Sequence, residues 1–207
     1  MVKPYSVDSG DEKALNFEDI DLSLKYSYAH YLNWLFDDRV ELFKGQVYKM
    51  RPAPSRFHQE VSGNILKVLF SYLENKSCKV YAAPFDVRFP KDSKEDKDIY
   101  TVLQPDICVI CDLAKLDDRG CIGPPDMVVE ILSPGNNKME LLNKYNVYQE
   151  FGVKEYWIVS LADKTFLLYT LNDDGRYQAS KLYSITETVR SPLFPGLELN
   201  LEKVFKD

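Results

Sequence analysis

Stretches of helical periodicity alternate with short, β-rich apolar runs along the 207 residues of the chain. Residues 24–36, LKYSYAHYLNWLF, place apolar and aromatic side chains at the spacing of an amphipathic helix. A strand pair follows in VELFKGQVYKM, where Lys44-Gly45 predicts a tight hairpin whose turn needs a glycine at positive φ. Residues 57–74 repeat apolar side chains at Val61, Ile65, Val68, Leu69 and Leu73, which is again helical spacing. KVYAAPFDVRFP, QPDICVICDL and DMVVEILSP then read as three β-rich segments separated by polar or Pro/Gly-rich loops. A further helix is predicted over 137–151, with Leu141, Leu142, Tyr145 and Tyr148 on one face and Gly152 as its stop. EYWIVSLADKTFLLYTL reads as two strands joined at Ala162–Lys164, and GRYQASKLYS and PLFPGLELNLEKVF add a strand and a terminal packed segment.

This order of elements predicts an α/β (α+β) domain whose central mixed β-sheet is flanked by helices. VVEIL is apolar on both faces and should lie centrally in that sheet. One domain is expected over 23–207, preceded by a loosely ordered arm over 1–22, where VDSGDEKALNFEDID mixes charges without apolar periodicity. An apolar content of 45% supports a packed core. No window approaches the ~18 uninterrupted apolar residues of a membrane span, and the N-terminus resembles no targeting signal, so a soluble, cytoplasmic protein is expected. The net charge of −6 argues against holding DNA by broad electrostatic attraction and leaves only a local basic rim for that purpose.

Cys108 and Cys111 form a C-x-x-C, but they lie in a predicted strand, where residues three apart point to opposite faces. These two thiols cannot converge on one zinc and are expected to be small buried hydrophobes. Glu130 is the chemically informative position. A carboxylate inside a two-faced apolar strand is expensive unless something compensates it. Asp106 enters the neighbouring β-rich run, and if the two strands pair, the carboxylates converge across the ladder at about 5 Å between Cβ atoms. Two close carboxylates repel unless they share a proton or a divalent cation, and oxygen ligands suit Mg²⁺ or Mn²⁺.

Pro105-Asp106 before a strand, with a Glu in the next, resembles the PD-(D/E)XK nuclease superfamily. The closer likeness is to its Uma-type, restriction-endonuclease-like bacterial family, carried by GPPDMVVEILSP and YQEFGVKEYWIV. The resemblance implies a restriction-endonuclease-like core, with Asp106, Glu130 and the Ile131 carbonyl as ligands of Mg²⁺ or Mn²⁺. The superfamily's usual lysine position, two residues after the acid, holds Leu132 here. The Uma-type pattern moves the lysine to the following helix, four residues before the tyrosine of Y-x-x-x-G-V, which is Tyr148, so the matching residue is Lys144. Helical spacing puts Lys144 and Lys138 at opposite borders between core and solvent and does not decide between them. His58, Asp86 in mid-strand and Glu41 match family positions as supporting residues, whereas Gln46 replaces the family's common Glu.

The resemblance implies a metal-dependent endonuclease acting on DNA, with a homodimer as the form suited to double-strand cleavage. A non-catalytic module that keeps the fold and binds nucleic acid or protein is the alternative. Asp126 is expected to cap the entrance of its strand, and His30 to pack among aromatic side chains.

Overall fold

The computed structural model of the protein describes residues 16–50, 53–133 and 138–206, with the side chains of 138–140 left out. Its helices are α1 (Tyr28–Tyr31), α2 (Arg56–Leu73), α3 (Lys138–Phe151) and α4 (Leu201–Val204). The strands run β1 (Val40–Phe43), β2 (Gln46–Lys49), β3 (Lys79–Ala82), β4 (Val87–Arg88), β5 (Val102–Leu103), β6 (Ile107–Ile110) and β7 (Leu116–Asp117). They continue as β8 (Gly120–Ile122), β9 (Met127–Leu132), β10 (Glu155–Ser160), β11 (Thr165–Leu171), β12 (Tyr177–Ala179), β13 (Thr188–Arg190) and β14 (Glu198–Asn200). The chain divides into two compact units, Met1–Arg51 with Pro90–Leu103 and Pro52–Phe89 with Gln104–Asp207. Among the described residues no helix is long and apolar enough to cross a membrane.

In the first unit β1 and β2 form the expected hairpin, with Lys44 at φ 50° and Gly45 at φ 86° in its turn. A side chain at Gly45 would also press on Lys25, so the position asks for glycine twice over. The helix expected over 24–36 is corrected to the four residues of α1. The aromatic spacing serves a ring cluster instead: Trp34 meets Tyr26, Tyr31 and Phe36 at centroid distances of 5.5, 5.7 and 5.6 Å. His30 joins it beside Tyr26 and accepts a hydrogen bond from the Ser27 backbone N–H. Of the expected N-terminal arm, residues 1–15 lie outside the described residues, and Phe17–Asp19 make one 3-10 turn.

The second unit is built on a mixed sheet of order β12-β11-β10-β9-β6-β3, in which β9 is central as its two-faced apolar sequence requires. β9 pairs parallel with β10 and antiparallel with β6. Alternation of side chains then gives the sheet two unlike faces. Met127, Val129, Ile131, Ile107, Val109, Trp157 and Val159 share one core cluster with Val61, Ile65, Leu69 and Leu73 of α2. The opposite face carries Val128, Glu130 and Tyr156 beneath α3. Truncating one of the buried aliphatics of the α2 face would cost about 2–5 kcal/mol.

The reading of Cys111 as a small buried hydrophobe is corrected, and that of Cys108 stands. Cys78 and Cys111 lie one step beyond Lys79↔Ile110 on the antiparallel β3–β6 ladder and form a disulfide. Cys108 and Cys121 are buried thiols, and burial pushes the Cys121 group up to about 11. Cys108 and Cys111 do not converge, as strand geometry demands.

Glu155 opens β10 fully buried, accepting from Trp157 Nε1 at 2.6 Å, Ser191 Oγ at 2.9 Å and Leu193 N at 2.9 Å. It thereby ties the segment before β14 to the sheet. Burial raises its carboxyl above the ordinary value, against the lowering pull of Leu193, Ser191 and Trp157. A carboxyl raised in the fold contributes stability fully below its unfolded value and loses it as pH rises through the folded one. Ser191→Ala removes one of the three donors and the acceptor of the Phe194 N–H. We expect urea denaturation to show a loss of about 1–3 kcal/mol, larger above the raised folded-state titration of Glu155, where the carboxyl is charged, than below it. Gly120, at φ 124°, is a second sensitive point because a Cβ there would overlap the Asp86 carbonyl oxygen. Gly120→Ala should cost about 1–3 kcal/mol in the same measurement.

Candidate active site

The β6–β9 register runs Ile107↔Val129 and Cys108↔Val128, and its next step sets Asp106 opposite Glu130. The pairing of the two carboxylate-bearing segments expected from sequence is therefore present. Asp106 sits just before β6, where its carbonyl accepts from the Ala83 N–H at 3.0 Å. Its Oδ2 accepts from the Ile131 N–H at 2.7 Å, and its Oδ1 lies 3.4 Å from His58 Nε2. A carboxylate at the edge of one strand is thus fastened to the backbone of the residue following Glu130.

His58 reaches this point because Ser55 caps α2, accepting from the His58 N–H, and His58 is the buried residue of the first turn. Burial disfavours the charged imidazolium, but the hydrogen bond and charge of Asp106 outweigh it, with the Ile131 carbonyl and Glu130 adding their pull. The ring's affinity for its proton is raised above the ordinary histidine value as a result.

Glu130 is 7% exposed and would be untenable alone. Lys144 of α3 donates to both of its oxygens, at 3.1 Å to Oε1 and 3.2 Å to Oε2, and the Tyr148 hydroxyl donates to Oε1 at 2.6 Å. The expectation of Lys144 at a core–solvent border is corrected: it is 6% exposed, while Leu142, expected on the buried face, is 50% exposed. The helix turns its Lys144, Val147 and Tyr148 side inward because a buried carboxylate needs a cation and donors more than Leu142 needs burial. Removing one partner of such a pair costs about 3–5 kcal/mol. The side chain of Lys138, the other lysine left open by spacing, lies outside the described residues.

Asp106, Glu130, Ile131, Lys144 and His58 are therefore brought together. Asp86 precedes β4 and is not in mid-strand as expected; its Oδ1 accepts from Gln104 Nε2 at 2.8 Å. Glu41 is buried on β1 of the first unit, facing Tyr48 across the hairpin. Asp126 does cap its strand, accepting from the Cys111 N–H and pairing with Lys154. The role of Tyr148 as donor to Glu130 was not read from sequence, although its spacing from Lys144 by one helical turn carried the signal.

Among the described residues no three His, Cys, Asp or Glu side chains converge on one metal position. What the centre offers is two carboxylates and the Ile131 carbonyl, all hard oxygen donors. That set fits Mg²⁺ or Mn²⁺, which keep several waters and take one or two carboxylates from a protein.

Residues 28–202 match the Uma2 family, described as "Putative restriction endonuclease". "Uncharacterized protein slr1290" of Synechocystis sp. (strain ATCC 27184 / PCC 6803 / Kazusa) is 29% identical over 164 residues, spanning 75% of this chain and 82% of that one. A crystal structure of "a putative nuclease belonging to DUF820 from Anabaena variabilis" superposes with a TM-score of 0.67 at 16% identity, covering 87% of this chain and 97% of that one. That likeness is one of fold, and it agrees with a mixed sheet flanked by helices. With most of its length matched and the acid, acid and lysine of the pattern brought together in one unit, the chain belongs to the Uma2 family of restriction-endonuclease-like proteins.

Proposed function

We propose that the protein is a divalent-metal-dependent endonuclease that hydrolyses DNA phosphodiester bonds, with Asp106, Glu130 and Lys144 as its centre. The observation that carries this reading is the direction of Lys144: its amine points at Glu130, where a solvated helix lysine would point to water. Family membership adds the class of reaction.

Asp106 and Glu130, with the Ile131 carbonyl, are the groups to hold Mg²⁺ or Mn²⁺. When bound, the cation supplies Lewis-acid polarisation of a phosphoryl oxygen and lowers the pKa of water. Lys144 places a positive charge where the attacking water and the developing phosphorane charge would be, so that it orients the water and favours its hydroxide form electrostatically. Tyr148 holds Glu130 in place while Lys144 is used elsewhere. His58 orients Asp106. Cleavage of this kind leaves a 5′-phosphate and a 3′-hydroxyl.

Plasmid nicking with Mn²⁺ or Mg²⁺ tests the reading. Asp106→Asn and Glu130→Gln should fall to background, and chelation should abolish nicking by the wild type. A wild type that never nicks would favour the non-catalytic module.

Lys144 provides a separate prediction, because as a cation it competes with a metal for Glu130. Lys144→Met should reduce nicking by about 10²–10³-fold, the scale for one preorganised donor at developing charge. Mn²⁺ affinity measured by calorimetry should stay equal or rise. A fall in affinity parallel to the fall in nicking would make Lys144 a structural partner of Glu130 only.

A further inference from the structure

Tyr156, on β10, lies on the same sheet face as Glu130 and opposite Val128 in the parallel register. It is fully buried, and its hydroxyl has no hydrogen-bond partner. This is unusual: a buried hydroxyl left unsatisfied costs about 1–3 kcal/mol, and nearly all such groups in native structures are paired. Its neighbours show the contrast. Tyr148, whose ring is 5.0 Å from that of Tyr156, spends its hydroxyl on Glu130, and Tyr177, 6.1 Å away, donates to the Val153 carbonyl at 2.8 Å. A phenylalanine would fill the same place without the penalty.

We propose that Tyr156 is a positioning residue of the Glu130 centre, its hydroxyl held in reserve to donate to the Glu130 carboxylate when that group turns from Lys144 toward a divalent cation. The idea rests on the nuclease reading above and extends it. Lys144 and Tyr148 both donate to Glu130 in this structure. A carboxylate drawn toward a cation has to give up part of that pairing, and ligating carboxylates are normally hydrogen-bonded from behind. Tyr156 is a buried donor on that face with a hydrogen to give. Burial raises its phenol well above the ordinary value, and Glu130 is the strongest charge acting on it, with Asp106 acting more weakly. The hydroxyl therefore stays protonated, which suits a permanent donor.

The test is Tyr156→Phe, with Tyr177→Phe as a comparison, followed by thermal unfolding of the metal-free protein and by Mn²⁺ calorimetry. Tyr156→Phe should unfold at the wild-type temperature or above it, because an unpaired hydroxyl is lost, yet bind Mn²⁺ about 10-fold more weakly, the lower end for losing a residue that supports a metal ligand. Tyr177→Phe should do the reverse, unfolding earlier with Mn²⁺ affinity unchanged. A Tyr156→Phe protein that binds Mn²⁺ as tightly as the wild type, or that unfolds earlier because the hydroxyl was structurally engaged, overturns this proposal alone. A wild type that takes up no Mn²⁺ overturns the nuclease reading and this proposal with it.

Discussion

A carboxylate in the middle of the central strand is the constraint to which the rest of the second unit answers. Glu130 could have been an apolar residue at no cost to the sheet, since Val128, Val129 and Ile131 around it are all buried. Its presence requires a cation and a donor directly above it, and α3 supplies both from one side, Lys144 and Tyr148 being a helical turn apart. The neighbouring strand brings a second carboxylate, Asp106, opposite it, and the Ile131 N–H fixes that group in place. The pairing is compensation more than profit, because buried ion pairs seldom stabilise a fold beyond what apolar residues of the same volume would.

The two faces of the sheet divide the work. The face covered by α2 is mostly apolar, with Val61, Ile65, Leu69 and Leu73 on the helix packed against Ile107, Val109, Trp157 and Val159 on the strands, and supplies the hydrophobic stabilisation. The face covered by α3 carries Glu130, Lys144, Tyr148 and Tyr156, groups whose burial weakens the fold unless each is partnered. Such a division lets one side of the molecule tolerate the strain of a polar centre because the other side holds it.

Much of this was legible in the sequence where the signal was local. The 3.6-residue spacing of Val61, Ile65, Leu69 and Leu73 fixed α2, and Lys44-Gly45 fixed the first hairpin, because each depends on near neighbours alone. The anomaly of Glu130 in an apolar strand, with Asp106 heading the strand beside it, pointed to the centre. Other features depend on partners distant in the chain and were misread. The rings of Tyr26, Tyr31, Trp34 and Phe36 are spaced like a helix face but pack on one another around a short turn. Leu142 is more apolar than Lys144, yet Lys144 is buried, because the deciding interaction is with a carboxylate on another strand. Cys78 and Cys111 are paired only by the β3–β6 register, which periodicity does not reveal.

The most direct test of the Glu130 centre is an anomalous difference map from crystals grown with Mn²⁺. The account predicts one strong peak between the Asp106 and Glu130 carboxylates, beside the Ile131 carbonyl, with the Lys144 amine withdrawn from at least one Glu130 oxygen. An intact Lys144–Glu130 pair with no peak there, at Mn²⁺ concentrations that occupy other sites in the same crystal, would contradict it.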